Sequence, residues 1–513
     1  MEKQARIIVG TKYSRISTDL DPATYLALDD ALSYYKLGHE HVPSFKEHVW
    51  DGKAHMLEDG NLFLTGLLSI VRQVLSSRDY GYEIIDRRHV PEENFPELKF
   101  AAPADFDYEE RPYQQFTINK CKKFTRGLMQ IATGGGKTIV TTGLIAALKV
   151  RPFVYFVLSK ELMRQAHDTL SAFLNTEIGM VGDGKCEIHD ITVCTVQTVV
   201  RCLHKDDEAF NEKDYKFDNE DIWDEDNFFV ESNAEKIRHL VATCKGFYFD
   251  EVHHAAAKTC QEVIFAAEEA YYKFGGTATP YRDDGEDMVV QGLFGGKAVQ
   301  ISATYLTNND WLVPAEAFYC DVDSNADGHT SYRSIYSHAV VNNVEFSSAI
   351  ADLVDFLVSN GILCLILVQQ IKHGKNISQM IKGSVFLSGK DTTKKRTKAI
   401  ADMREGKLKV LVATTLADEG LDIKPLGAVF MLSGGASVTR VPQRVGRCIR
   451  KYENKKFGLF FYFRHRVKYL FEQGLKVKKI LKEEESNHIH HIRKFEDLKQ
   501  AVCDFINRQQ DGF

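Results

Sequence analysis

The chain has no Cys-x-x-Cys pair among its ten cysteines, which excludes a zinc ribbon and a dithiol redox motif. No apolar run approaches the roughly 20 residues needed to cross a bilayer. The opening stretch MEKQARIIVGTKYSR lacks the apolar core of a secretory signal. Scattered thiols fit a reducing compartment. The expectation is a cytoplasmic protein, in the host cytoplasm if viral, with no membrane partner. A basic excess is missing too, since the formal net charge is −6. That gives no bulk signal for nucleic acid, but a polyanion responds to the local field of one face.

What is present is a soluble, globular composition, 44% hydrophobic and 27% charged, in 513 residues. That length suggests roughly three domains. Residues 1–104 mix short strand-like and helical runs, of which LFLTGLLSIVRQVL is the clearest helix. Pro91, Pro96 and Pro103 mark a boundary. Beyond it, FVYFVL (153–158), DITVCTV (190–196), GFYFD (246–250), AVQISA (298–303), LCLILV (363–368), VLVAT (410–414) and AVFML (428–432) read as buried strands alternating with helices. Such alternation predicts parallel sheets in two α/β domains, 105–305 and 306–470, divided by a region rich in loop signals at 305–345. Residues 471–513 read as a helical extension with basic stretches, RHRVKYL and GLKVKKILK lying at its start. The acidic, aperiodic stretch 205–236 reads as a solvated insertion, or else as a lid or a mimic that keeps nucleic acid off one face.

The strongest chemical signal is MQIATGGGKTIVTTGLIAALK (129–149). Thr133-Gly134-Gly135-Gly136-Lys137-Thr138 closes an apolar run and opens a helix. Glycine amides there can point at phosphate oxygens, Lys137 can neutralise β/γ charge, and the Thr138 hydroxyl can reach Mg²⁺. The helix adds its positive end to the same anion. The full phosphate-loop pattern places a glycine where this chain has Ile131. Such a loop needs one carboxylate for the metal and another for water. FYFDEVHH (247–254) supplies them as Asp250 and Glu251 at the end of a strand. His253 and His254 have no His-Glu-x-x-His spacing and no third ligand nearby, so a polar link from His253 towards the neighbouring domain is the better reading.

At this point residues 111–455 resemble the superfamily 2 helicases and translocases, whose motifs occur here in the family's order. The resemblance implies two RecA-like parallel-sheet domains in tandem, with a small α+β N-terminal domain before them and the helical tail after. It also implies ATP and Mg²⁺ as cofactors and DNA as partner. RPYQQ (111–115) is similar to the adenine-recognition element, with Tyr113 for stacking and Gln114 for base hydrogen bonds. Asp250 to His253 resembles the DEAD/DEAH-type box in the form DEVH, and GGTATPYR (275–282) carries Thr277 where relatives have serine; its hydroxyl could bond to that box, and Thr279 follows. VPQRVGRCIR (441–450) fits Gln-x-x-Gly-Arg-x-x-Arg, with Gln443 at its head and Arg447 and Arg450 as the implied fingers on γ-phosphate charge. Gly420 and Asp422 would link nucleotide to nucleic acid. Implied strand contacts are Ser159, Lys160, Thr195, Gln197, Thr414 and Thr415, directed at backbone rather than base edges. VPSFKEHVWDGKAHML (42–57) resembles the segment before the motor in phage UvsW-type helicases, which act on branched DNA. That adds Trp50 and Lys53, although an Asp-Gly turn beside an aromatic is also an ordinary hairpin signal. Two other readings stay open: an RNA helicase, and an ATP-gated binding or annealing module without motor activity.

Overall fold

The computed structural model describes residues 3–103, 110–207, 227–279, 285–414, 423–432, 437 and 440–510. Backbone contacts divide the chain into two units. The first is Met1–Ile131 with Gly136–Gln300, and the second is Ala132–Gly135 with Ile301–Phe513.

The first unit holds two larger sheets. Its N-terminal part contains β1 (Lys3–Val9), β2 (Tyr13–Ile16), β3 (Ser33–Tyr35), β4 (Lys53–His55), β5 (Leu57–Glu58), β6 (Leu62–Leu64) and β7 (Tyr80–Asp86). Five of these form a sheet in the order β5-β6-β2-β1-β7, while β3 and β4 pair apart from it. Two helices of ten residues, Pro22–Ala31 and Leu68–Ser77, accompany the sheet. The first of these starts at Asp21, whose carboxylate accepts the Thr24 amide, with Pro22 at the first helical position.

The larger sheet comprises β8 (Arg126–Ile131), β9 (Phe153–Val157), β10 (Gly179–Gly182), β11 (Lys185–Glu187), β12 (Ile191–Thr195), β13 (Gly246–Asp250), β14 (Tyr272–Thr277) and β15 (Lys297–Ile301). Its order is β11-β10-β12-β9-β13-β14-β8-β15. From β10 through β8 every pairing is parallel. Strands buried on both faces read as continuous apolar runs, which is why FVYFV and GFYFD were legible.

The two sheets of this unit share one hydrophobic cluster that runs from Ile7, Phe63 and Leu75 to Phe156, Phe247 and Phe294. Their junction is close. A Cβ on Gly66 would lie 2.1 Å from the Gln291 carbonyl oxygen, and one on Gly292 would lie 2.7 Å from Leu64. Arg126, half-buried, donates to the Thr11 carbonyl at 3.1 Å.

The second unit contains β16 (Ala315–Val322), β17 (Leu363–Val368), β18 (Val385–Leu387), β19 (Val410–Thr414), β20 (Leu426–Met431), β21 (Gly458–His465) and β22 (Asn487–Ile492). Their order is β18-β19-β17-β20-β21-β16-β22, and every pairing is parallel. Two expectations change here. The loop-rich reading of 305–345 gives way to β16, all eight of whose residues are buried. The helical reading of 471–513 also changes, because β22 lies between helices Leu470–Glu483 and Leu498–Gln510 and pairs with β16. One physical reason covers both. Charged residues in AEAFYCDV and histidines in NHIHHI look like surface, yet Glu316 accepts from His488 at 2.8 Å and His490 at 2.6 Å. Residues 208–226 of the acidic insertion lie outside the described residues, and 227–236 belong to helix Asn227–Thr243.

His373, on helix Ile371–Met380, is fully buried with neither ring nitrogen bonded among the described residues. Burial holds its pKa down to about 4, and that of nearby His465 to about 3. Both are neutral in the fold, whereas an unfolded histidine takes its proton near 6.5. Between those values the unfolded chain binds more protons. Stability contributed by these residues is therefore complete above pH about 6.5 and drains as pH falls towards 4. The unfolding transition of this unit is expected to fall steeply over that window. His373→Leu should flatten the fall and raise the midpoint at pH 7 by a few degrees, because two orphaned polar atoms cost about 1–3 kcal/mol each. Calorimetry from pH 7 to pH 4 checks this, and a slope unaltered by the substitution would count against it.

Candidate active site

β8 delivers the chain into the turn Ala132–Gly136, and helix Lys137–Ala147 leaves it. Gly134 and Gly136 have φ of +82° and +76°, the left-handed region open to glycine without strain. Gly136 has a second reason to lack a side chain, since a Cβ would lie 2.8 Å from the Gln114 amide nitrogen. The Gly135 amide closes the turn on the Ala132 carbonyl at 2.9 Å. The loop therefore keeps backbone close to whatever it cradles.

Parallel pairing through β13 and β14 brings the other groups to the same end of the sheet. Lys137 Nζ donates to Glu251 Oε1 at 2.5 Å. Asp250 Oδ1 accepts the Glu251 amide at 3.0 Å. Glu251 itself has φ +48°, an uncommon conformation for a non-glycine residue and one that clusters at functional sites. Burial drives the Asp250 carboxyl above the ordinary carboxylate range, against the attraction of Lys137 and with help from Glu251. Burial works on Glu251 in the same direction, but Lys137 and then His253 outweigh it and hold its carboxyl low. Lys137 is raised because the two carboxylates overcome its own desolvation.

Thr277 is fully buried at the end of β14. Its hydroxyl lies 3.0 Å from His253 Nδ1, 3.4 Å from Glu251 Oε2 and 3.0 Å from the Thr279 carbonyl, and it accepts the Thr279 amide at 3.2 Å. One hydroxyl thus ties the DEVH residues to the loop after β14. Among the described residues no group of three or more His, Cys, Asp or Glu could hold a metal on its own. Thr138 and Asp250 offer hard oxygen donors of the kind magnesium takes alongside phosphate oxygens.

Gln114 and Tyr113 sit on helix Pro112–Cys121, each 3% exposed. The Arg111 amide donates to Gln114 Oε1 at 3.4 Å, and its guanidinium reaches the Tyr113 hydroxyl at 3.5 Å. The ring expected to stack on a base is therefore covered in this structure, while Gln114 borders the loop. Two residues escaped the sequence reading. Tyr155 and Tyr248 are buried phenols beside Asp250, close to Thr138 and Thr141 respectively. Their only signal was a tyrosine within each of two otherwise apolar strands.

In the second unit, helix Arg440–Cys448 carries Gln443, the buried Arg444 and Arg447 on one face at helical spacing. Arg450 follows, its backbone bridged to Leu312. Burial pulls its guanidinium down to about 10, with Arg404 adding repulsion, so it stays cationic at neutral pH. Gly420, Asp422 and Thr415 lie outside the described residues.

The remaining nucleic-acid candidates are mostly occupied internally. Ser159 caps helix Lys160–Leu174 through the Leu162 amide. Lys160 pairs with Asp183 at 3.3 Å. Thr195 is buried and bonded to Thr198 at 2.6 Å, and Gln197 donates to the Leu158 carbonyl. Thr414 ends β19 with a buried hydroxyl that has no partner among the described residues. Lys53 is committed to Asp30 at 2.5 Å and to the Tyr35 ring. The Trp50 indole donates to the Lys53 carbonyl at 2.8 Å. Trp50 and Lys53 thus build the turn around Gly52, where a Cβ would meet His39 and Phe45.

Residues 107–282 match the family model described as the type III restriction enzyme res subunit, and residues 348–452 match the helicase conserved C-terminal domain. The chain is 30% identical over 247 residues to "Putative helicase 22" of Sulfolobus islandicus filamentous virus, covering 44% of this chain and 43% of that one. It is 23% identical to "Putative DNA 3'-5' helicase Rad25" of Halobacterium salinarum, covering 72% and 56%. Against "ATP-dependent DNA helicase uvsW" of Enterobacteria phage T4 it is 21% identical over 466 residues, covering 86% and 87%. The chain spans about half the length of the first curated relatives it matches. Among solved structures, a fragment of a putative HsdR subunit from Vibrio vulnificus shares the fold, with TM-score 0.53 and 15% identity over 79% of this chain and 71% of that one.

Proposed function

We propose that this chain, a superfamily 2 helicase by its paired domains, is an ATP-driven DNA translocase that works on branched DNA. The observation that carries the ATPase part is the meeting of Lys137, Glu251 and Asp250 at the mouth of the glycine loop. One cation faces two carboxylates there, an arrangement that fits a triphosphate with a divalent ion. Thr138 and Asp250 would hold that ion, which when bound supplies charge neutralisation across the β- and γ-phosphates. Lys137 binds the phosphate tail, the loop amides orient it, and Glu251 takes the proton of the attacking water. By the resemblance of their motif, Arg447 and Arg450 would offer positive charge to the negative charge that grows on the γ-phosphate. Thr277 and His253 report the state of that site to the loop at Thr279. Hydrolysis coupled to backbone contacts would move the protein along a strand.

DNA and its branched form rest on the 21% identity to a phage DNA helicase over 86% of this chain and on the resemblance of the Trp-Asp-Gly-Lys segment at 50–53 to the one before the motor in UvsW-type helicases. An RNA helicase is disfavoured by Gln443 at the head of its motif, where DEAD-box enzymes usually carry histidine. A pure clamp is disfavoured by the intact Glu251 and Arg450. The test is ATP hydrolysis measured in parallel with a fork, a four-way junction, single-stranded DNA and RNA. Branched DNA is expected to stimulate most, with strand displacement following. Equal stimulation by RNA would overturn the DNA assignment, and DNA binding without displacement would favour the clamp.

A further inference from the structure

The motor reading leaves the basic stretches RHRVKYL and GLKVKKILK without a task, yet the second unit folds them into one place. β21 ends at Arg464 and His465, Arg493 follows β22, and helix Leu470–Glu483 carries Lys478 and Lys482. Arg464 donates to both oxygens of Asp321, each at 2.6 Å. Arg466 reaches Asp321 at 3.2 Å, Asp323 at 3.1 Å and the Arg493 carbonyl at 3.1 Å. Lys478 Nζ lies 3.3 Å from His491 Nδ1, and His491 Nε2 lies 3.4 Å from Asp321. Lys482, Arg464 and Arg493 all act on Lys478, which burial and their repulsion together lower. Asp321 is 3% exposed and already engaged by two arginines. Arg464 and Arg466 thus hold Asp321 and Asp323, while Lys482 and Arg493 lie close enough to Lys478 to repel it, a concentration of positive charge that suits an added anion.

The position of this cluster says which anion. All strands of the sheet run in parallel, so their carboxyl ends form one edge, where ligands of such sheets gather. Asp321 and Arg464 are register partners near that edge, and Arg493 follows Ile492, the partner of Cys320. Thr414 ends β19 on the same edge, its hydroxyl without a partner among the described residues. From β19 to β22 is five strand spacings, or about 24 Å at ~4.8 Å each. That spans about seven base steps at ~3.4 Å. Lysine-rich surface is depleted in protein interfaces but suits phosphate.

We propose that Arg466, Lys478, Lys482 and Arg493 form a further phosphate-contacting surface, which grips a duplex arm of the nucleic acid beyond the strand held in the motor. The proposal rests on the DNA-motor reading. The test uses the full chain carrying Lys478→Gln, Lys482→Gln and Arg493→Gln, which spares the Asp321–Arg464 pair and every residue of the ATP site. Binding to a fork with duplex arms is read by fluorescence anisotropy from 50 to 200 mM salt, with thermal unfolding as the folding control. Each lost phosphate contact lowers the slope of log K against log salt by about 0.9. The expected result is a slope reduced by about 2–3, affinity lower by about 10–100-fold, and DNA-independent ATP hydrolysis unchanged. A variant with the wild-type slope and affinity would overturn the surface alone. Failure of the wild type to bind any DNA would instead overturn the motor reading. Loss of poly-glutamate binding with DNA binding intact would assign the cluster to an acidic protein and overturn the proposal.

Discussion

Lys137→Ala is expected to reduce ATP hydrolysis by at least about 10²–10³-fold, the range seen when one preorganised charge stabiliser is removed. Two effects add in this site. The transition state loses its cation at the β/γ-phosphates. In addition, Asp250 and Glu251 lose the charge that lets both stay ionised, because Lys137 is the first attractive influence on each. The fold is weakened as well, since Glu251 Oε1 gives up a 2.5 Å partner. Nucleotide affinity should therefore fall together with kcat, and the variant should melt earlier. Lys137→Arg separates the two losses. It keeps a cation near Glu251 but cannot seat a longer planar head in a loop packed against Gln114. Stability should return while hydrolysis does not. A steady-state assay with thermal unfolding on both variants decides the matter, and near-normal turnover in either would remove Lys137 from the role.

Much of this site was legible because its chemistry is local in the chain. Gly134, Gly136 and Lys137 sit within four residues, and Asp250 and Glu251 are adjacent at the end of an apolar strand. The strands themselves were legible wherever burial on both faces left an unbroken apolar run, as in LCLILV and GFYFD. β16 and β22 escaped because their charges are satisfied by residues far away in the sequence. Glu316 is held by His488 and His490, and Asp321 by Arg464 and Arg466. Pairing across some 140 to 175 positions leaves no periodic trace. The strand-contact candidates show the reverse case. Thr195 and Gln197 have suitable chemistry for phosphate, but packing has turned them inward, and Lys53 is paired with Asp30. Residue type proposes a role, and burial decides whether the group can reach a ligand.

Glu251→Gln tests the division of labour between the adjacent carboxylates. Lys137 is bound to Glu251, and a phosphate would compete with that carboxylate for it. Glutamine keeps the shape and a neutral oxygen but not the charge, so that exchange becomes easier. ATP should bind as tightly as in the wild type or several-fold more tightly. Hydrolysis should fall by about 10²–10⁴-fold, the usual contribution of a positioned general base. Asp250 keeps the Glu251 backbone amide on Oδ1, a bond the substitution does not touch. Thr277 also keeps His253 and the Thr279 loop, so the link onward from the site survives. The protein should therefore stall with ATP bound and DNA still held, and a DNA complex that persists with ATP and dissolves on its removal is the signature. Asp250→Asn should differ, losing Mg²⁺-dependent nucleotide binding itself. Wild-type turnover in Glu251→Gln would move the general base elsewhere. Equal loss of ATP binding in both variants would mean that the two carboxylates act as one metal site rather than as metal ligand and base.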